Sequence, residues 1–191
     1  MFFSLSENIE IKNTFHNNAL LFLCALSMST NLSAAFEHYP LNPSAVGSGL
    51  ITVNLHANAI GIFADPSSVS SFHTRHFGIS SGKRFGLNML KHHSAALAQP
   101  IRNGFFALGA SIFGDKLYSE TIWCLVMGKQ FNDKINVGLG LMYYDLRIEN
   151  YGQAGSLGIN AGWRIELDKS LKWIGSWRNV NGPTIGTTQD L

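Results

Sequence analysis

Residues 156 to 167, SLGINAGWRIEL, alternate in character without a break. Odd positions carry Leu157, Ile159, Ala161, Trp163, Ile165 and Leu167, while even positions carry Ser156, Gly158, Asn160, Gly162, Arg164 and Glu166. Successive side chains of a β-strand point to opposite faces, so an extended strand sorts this run into one apolar side and one small or polar side. A helix would spread both kinds around its circumference. The stretch INVGLGLMYYDLRIE, 135 to 149, repeats the pattern, with Ile135, Val137, Leu139, Leu141 and Tyr143 against Asn136, Gly138, Gly140, Met142 and Tyr144. Beyond Tyr143, Asp145, Arg147 and Glu149 take over the apolar parity. Either the strand leaves apolar surroundings there, or a β-bulge exchanges its faces.

Further segments follow the same period. GFFALGASIFG (104–114), LYSETIWCLVMGKQF (117–131) and LKWIGSWRNV (171–180) alternate clearly, as does ITVNLHANA (51–59). Weaker strand signals lie near 75–81 and 86–98. Short turn signals separate them: Gly114-Asp115-Lys116, Asn132-Asp133-Lys134 and Asp168-Lys169-Ser170, with a longer polar connection at 149–155. Strands joined this tightly run antiparallel, which predicts an up-and-down meander of about seven or eight strands.

Two architectures share that pattern. A soluble secreted or periplasmic barrel turns its large apolar residues inward around an apolar ligand. A transmembrane barrel inverts the pattern, with apolar side chains towards lipid and small or polar ones towards the lumen. Strands of about ten to twelve residues suit a tilted bilayer crossing. The non-apolar face is built of glycine, serine and asparagine, whereas a solvated exterior carries plentiful charge. Only 14% of the chain is charged, against roughly one residue in four in soluble domains. Aromatic residues gather near strand ends, at Tyr118, Phe131, Tyr143, Tyr144, Trp173 and Trp177, as interfacial girdles would place them. The expectation is therefore a transmembrane β-barrel, either complete at about eight strands or an incomplete part of a larger one.

Residues 19–30, ALLFLCALSMST, form an apolar run too short to span a bilayer and are followed by Ser33-Ala34-Ala35. They read as a secretory signal covering 1–35, leaving a barrel domain at 36–191. Cys24 falls within that signal, so Cys124 remains as a lone thiol, read as a buried strand cysteine. A formal charge of +2, scattered along the chain, excludes a nucleic-acid surface.

The run YSETIWCLVMGKQFNDKINVGLGLMYYDLRIENYG, the glycine-alternating strand after it, and LKWIGSWRNVNGPTIG resemble the FadL-related outer-membrane barrels of the PorV/PorQ group. The matching positions are Tyr118, Glu120, Gly138, Tyr143, Asn179 and Pro183, and ANAIGIFADPSSVS (57–70) resembles the group's N-terminal segment of small residues. The resemblance implies an outer-membrane barrel of Bacteroidetes-type bacteria. It implies a role in type IX-like protein secretion or in the passage of hydrophobic solutes, with outer-membrane lipid and either secretion components or exported proteins as partners.

No catalytic constellation emerges. His73, His76, His92 and His93 lack metal-ligand spacing, and Ser80, Ser81 and Ser94 lie in no nucleophile elbow. GISSGKRFG (78–86) departs from the order of a phosphate loop. The chain is expected to be non-enzymatic and without a cofactor. The candidate site is a luminal polar network of Glu120, Asn160, Arg164, Glu166 and Arg178, all on the even face.

Overall fold

The computed structural model describes residues 35–36, 58–102, 104–132, 134–168 and 171–185. The chain divides into two units, Met1–Ala34 and Ala35–Leu191, and the described residues belong to the second. The expected signal at 1–35 and most of the 51–59 strand lie outside them. The last two residues of that strand are placed differently. Asn58 caps, and Ala59 opens, a short 3-10 helix.

Seven antiparallel strands form one sheet in simple sequence order, curled into a half-barrel. They are β1 (His76–Lys83), β2 (Lys91–Ile101), β3 (Gly104–Gly114), β4 (Tyr118–Asn132), β5 (Ile135–Ile148), β6 (Gly152–Glu166) and β7 (Lys172–Trp177). The turns are sealed by the residues that predicted them. Asp115 Oδ1 accepts from Leu117 N at 2.9 Å, and Gly114 adopts φ +97° where a side chain would strain. Asn132 Oδ1 accepts from the backbone N–H groups of Lys134 and Ile135 at 2.9 and 2.8 Å. The connection expected at 149–155 is shorter than the sequence suggests. Only Glu149–Tyr151 turn, and β6 already begins at Gly152.

The register of β5 against both neighbours runs unbroken from Ile148 to Asn136. No bulge therefore exchanges the faces at Tyr143. Asp145 and Arg147 continue the outer parity.

Two 3-10 helices, η1 (Ala59–Phe63) and η2 (Pro66–Ser71), lie against the concave face. Asn58 caps the first, accepting from Ile60 N at 2.9 Å. Asp65 caps the second, accepting from Ser67 N at 2.8 Å, and Pro66 opens that helix with its preset φ. Ile60, Ile62, Phe63, Val69 and Phe72 of this segment pack on Ala96, Ala98, Ala107, Cys124, Val126 and Met142 of the strands. That contact is the core of the described residues.

Candidate functional site: the two faces of the sheet

Small inward residues create the room that η1 and η2 fill. Gly128, Gly138 and Gly162 pair in register across β4, β5 and β6, forming a side-chain-free trough. A Cβ on Gly138 would sit 2.2 Å from the Pro66 carbonyl oxygen, and one on Gly162 would sit 2.6 Å from Asp65 Oδ1. The backbone of η2 thus rests directly on that of the sheet. On the other side of the trough Ser80, Ser94 and Ser111 form a second in-register row, with the Ser94 and Ser111 hydroxyls 3.0 Å apart.

Asp65 is fully buried and meets Arg164 of β6, whose Nη2 lies 3.3 Å from Asp65 Oδ2. Ser67 donates both its backbone N–H and its hydroxyl to Asp65 Oδ1. Burial raises the pKa of this carboxyl, while Ser67 and Arg164 pull it back down.

The five residues expected to share a luminal network have separate environments. Arg164 pairs with Asp65. Asn160 is buried and accepts from Asn179 N at 2.8 Å. Glu120 is buried and accepts from the Tyr118 hydroxyl. Glu166 pairs with Lys172, opposite it on β7, at 2.5 Å. Arg178 is exposed where the chain leaves β7. The sheet brings Arg164, Asn160 and Glu120 to the concave interior but joins them to Asp65, Asn179 and Tyr118 in turn. Asp65 carried a readable signal, since Asp-Pro is a cap followed by a preferred first helical residue.

Beyond Trp177 the chain continues along β6 in the same direction and completes its edge largely with side chains. Asn181 Oδ1 accepts from Ile159 N at 2.8 Å, and Asn181 Nδ2 donates to the Leu157 carbonyl at 2.7 Å. Val180 N donates to the Ile159 carbonyl, and the Tyr144 hydroxyl donates to Asn179 Oδ1 at 2.9 Å. The expected strand over 171–180 therefore ends at Trp177.

The convex face is of opposite character. Phe77, Leu97, Leu108, Leu125, Leu141 and Ile159 face one another in register across six strands. Beside this row run Trp123, Tyr143 and Leu157 on one side, and Met127 and Leu139 on the other. All of these side chains are exposed, Phe77 to 67% and Leu139 to 63%. Aromatic residues mark both margins, with Trp123 and Tyr143 at one and Phe131 and Trp173 at the other, while Trp177 lies inside the band in register with Ala161 and Leu139. Tyr118 and Tyr144, expected among them, point inward instead, because each has the even parity of the concave face. Between Ile135, beside the Trp173 margin, and Asp145, where charge begins, β5 rises about 34 Å. Lys129 lies near the lower margin of the band with Nζ 5.2 Å from the centre of the Phe131 ring.

The adjacent histidines lie on opposite faces of the sheet. His92 points to the concave side, against Gly82, and His93 to the convex side, where its Nδ1 is 2.9 Å from the Ser81 hydroxyl. Cys124 is a buried free thiol. Among the described residues no three His, Cys, Asp or Glu side chains gather as a metal site would require, and no helix is long and apolar enough to cross a membrane.

No family model, curated protein or solved structure matches this chain.

Proposed function

We propose that the chain forms part of the wall, together with the inner plug, of an outer-membrane β-barrel. In this reading it is exported by its N-terminal segment, is non-enzymatic and is related to the PorV/PorQ group. Its work is then to help exported proteins reach the cell surface or to pass hydrophobic solutes. One observation carries the reading: a continuous, exposed apolar band on the convex face, bounded by aromatic residues and then by charge. At the strand tilt of about 40° that outer-membrane barrels share, the rise of β5 across this band would correspond to about 26 Å, comparable with their apolar belt of about 25 Å. In water, an exposed apolar patch of more than a few hundred Å² is rare on a monomer. The opposite face supports the same reading. Its small and polar inner residues, with η1 and η2 seated on them, leave little of the apolar hollow that a soluble ligand-binding barrel requires.

Fractionation of cells producing the full chain tests the proposal. The expected result is sedimentation with the outer membrane, retention after alkaline carbonate washing, and release only by detergent. Recovery as a monomer in detergent-free buffer would overturn it.

A further inference from the structure

On the convex face, β1 and β2 stack four in-register pairs whose character changes step by step. Lys83 faces Lys91, Ser81 faces His93, Ile79 faces Ala95, and Phe77 faces Leu97. The first pair sets two exposed cations against each other. Like charges directly opposite on an antiparallel ladder stand about 5 Å apart and destabilise it. Neither lysine has an ion-pair partner among the described residues. The neighbouring strands carry Gly114, Ser119 and Arg147 at that level, with no acid on the convex side. Asp115 has the concave parity, and its Oδ1 accepts from Leu117 N and Tyr118 N. Asp145 lies three strands from His93, about 14 Å away, and accepts from Gln153 Nε2.

Below the lysines the surface falls into an apolar groove of about 510 Å³. Ala95 and Ala110, in register on β2 and β3, form its floor, and Leu97, Leu108, Trp123 and Tyr143 rise around it. Its volume lies in the range of small-ligand sites, roughly 300–1,000 Å³. From Lys91 down to Ala95 the strand covers about 14 Å. Between them lies the polar step of Ser81 and His93, joined by a 2.9 Å hydrogen bond. The opposite margin has no such sequence of levels, since Lys129 faces Val137 there and lies over the Phe131 ring.

An anionic phospholipid is built in the same order: a phosphate, an ester-linked glycerol, then a hydrocarbon chain. Resting on the barrel reading above, we infer that the convex face of β1 to β4 is a specific site for one phosphate-bearing anionic lipid. Its phosphate lies between Lys83 and Lys91 and relieves their repulsion. Its glycerol region meets Ser81 and His93, and one acyl chain occupies the groove over Ala95 and Ala110. Lysine suits the task, because its stem runs along apolar surface and delivers the ammonium to the water boundary. The cations choose the headgroup, while the groove holds the chain whatever headgroup it carries. Cations and groove lie on the face of the sheet, so strands placed beside β1 or β7 leave the site open.

Native mass spectrometry of the full chain, purified in detergent, tests this. The protein is titrated separately with dimyristoyl phosphatidylglycerol, which is net negative, and with dimyristoyl phosphatidylcholine, which is net neutral. The first phosphatidylglycerol is expected to bind about thirty-fold more tightly than the first phosphatidylcholine, as two lysines near an anionic headgroup imply. Lys83→Gln/Lys91→Gln should abolish the preference, and Lys129→Gln should leave it intact. Ala110→Leu, or Ala95→Leu should that variant not fold, fills the groove and should weaken the first equivalent of both lipids alike. Equal affinity for the two lipids in the natural protein would overturn the inference. So would a preference that survives loss of both lysines or falls equally with Lys129→Gln, or lipid affinities untouched by filling the groove. A chain recovered as a monomer without detergent fails the barrel reading instead, before any lipid is added.

Discussion

The carboxylate of Asp65 and the guanidinium of Arg164 meet 3.3 Å apart although 99 positions separate them in sequence. The pair ties the plug to the wall, and both side chains are almost wholly withdrawn from solvent. Removing one partner of a buried ion pair leaves an uncompensated charge and costs about 3–5 kcal/mol, whereas removing both costs far less. Arg164→Met is therefore expected to destabilise the folded protein by that amount, and Asp65→Asn/Arg164→Met to recover most of it. Guanidinium unfolding in detergent micelles, followed by tryptophan fluorescence, measures both. Equal losses in the single and double variants would show that the pair does not hold the plug.

The acid in that pair also sets a pH dependence. Burial holds the Asp65 pKa above its unfolded value of 3.8. A group whose pKa rises on folding contributes fully below its unfolded pKa, and that contribution is lost as pH rises through the folded value. The stability of the natural protein relative to Asp65→Asn should therefore fall as pH rises above the unfolded value of 3.8. Denaturation midpoints at several pH values decide the matter. A relative stability that grows with pH would mean that attraction to Arg164 outweighs desolvation.

The glycine trough makes a steric prediction. Gly138→Ala places a methyl group 2.2 Å from the Pro66 carbonyl oxygen, where backbone meets backbone and no flexible side chain can give way. Overpacking of this kind costs about 1–3 kcal/mol. The segment from Asn58 to Phe72 should lose its seat before the strands unfold. Limited trypsin digestion should then cut at Arg75 in the variant well before it cuts the natural protein. Gly152→Ala strains the turn between β5 and β6, where φ is +111°, but meets nothing of the plug, so it should not hasten that cut.

Asn181 acts on the edge of β6 as a strand would, accepting from Ile159 N and donating to the Leu157 carbonyl. Asn181→Ala leaves both backbone groups without these partners, at a cost of about 1–3 kcal/mol for each that stays buried. Amide hydrogen exchange should accelerate at Ile159 and remain unchanged at Leu141 in the neighbouring strand. Unchanged protection at Ile159 would assign the hydrogen bond no role in holding the edge.

The strands were legible because period two is a local property. Ser156 to Leu167 cannot sort its residues in any other regular conformation, and Asn132 and Asp115 seal turns within three residues of themselves. The plug was not legible as a plug. Ala59–Ser71 has no strand period and is too short for a helical one, and its position depends on Gly128, Gly138 and Gly162, far later in the chain. The candidate polar residues were assigned to the right face by parity at Glu120, Asn160 and Arg164. The partners of the latter two were not, because Asp65 and Asn179 belong to irregular segments whose placement follows from tertiary packing. Tyr144 shows the same limit. Its aromatic character suggested a girdle, but its parity turns it inward to Asn179.

The convex face gives the sharpest prediction, because water and lipid treat the same substitution differently. Leu141 lies in the middle of the apolar row and is already 41% exposed, while Asp145 lies on the same face of the same strand beyond Tyr143. If the band contacts hydrocarbon, Leu141→Arg costs about 2–4 kcal/mol because it lies near the midplane, and Asp145→Arg about 0–1 because it lies at the margin. If the band contacts water, a charge on an exposed position changes stability by only about 0.5 kcal/mol at either site. Refolding of both variants into phospholipid vesicles, with the folded fraction read from electrophoretic mobility without heating, separates the cases. The expected outcome is a strong loss for Leu141→Arg and near-normal assembly for Asp145→Arg. Equal behaviour of the two variants would remove the physical basis for placing this face against lipid.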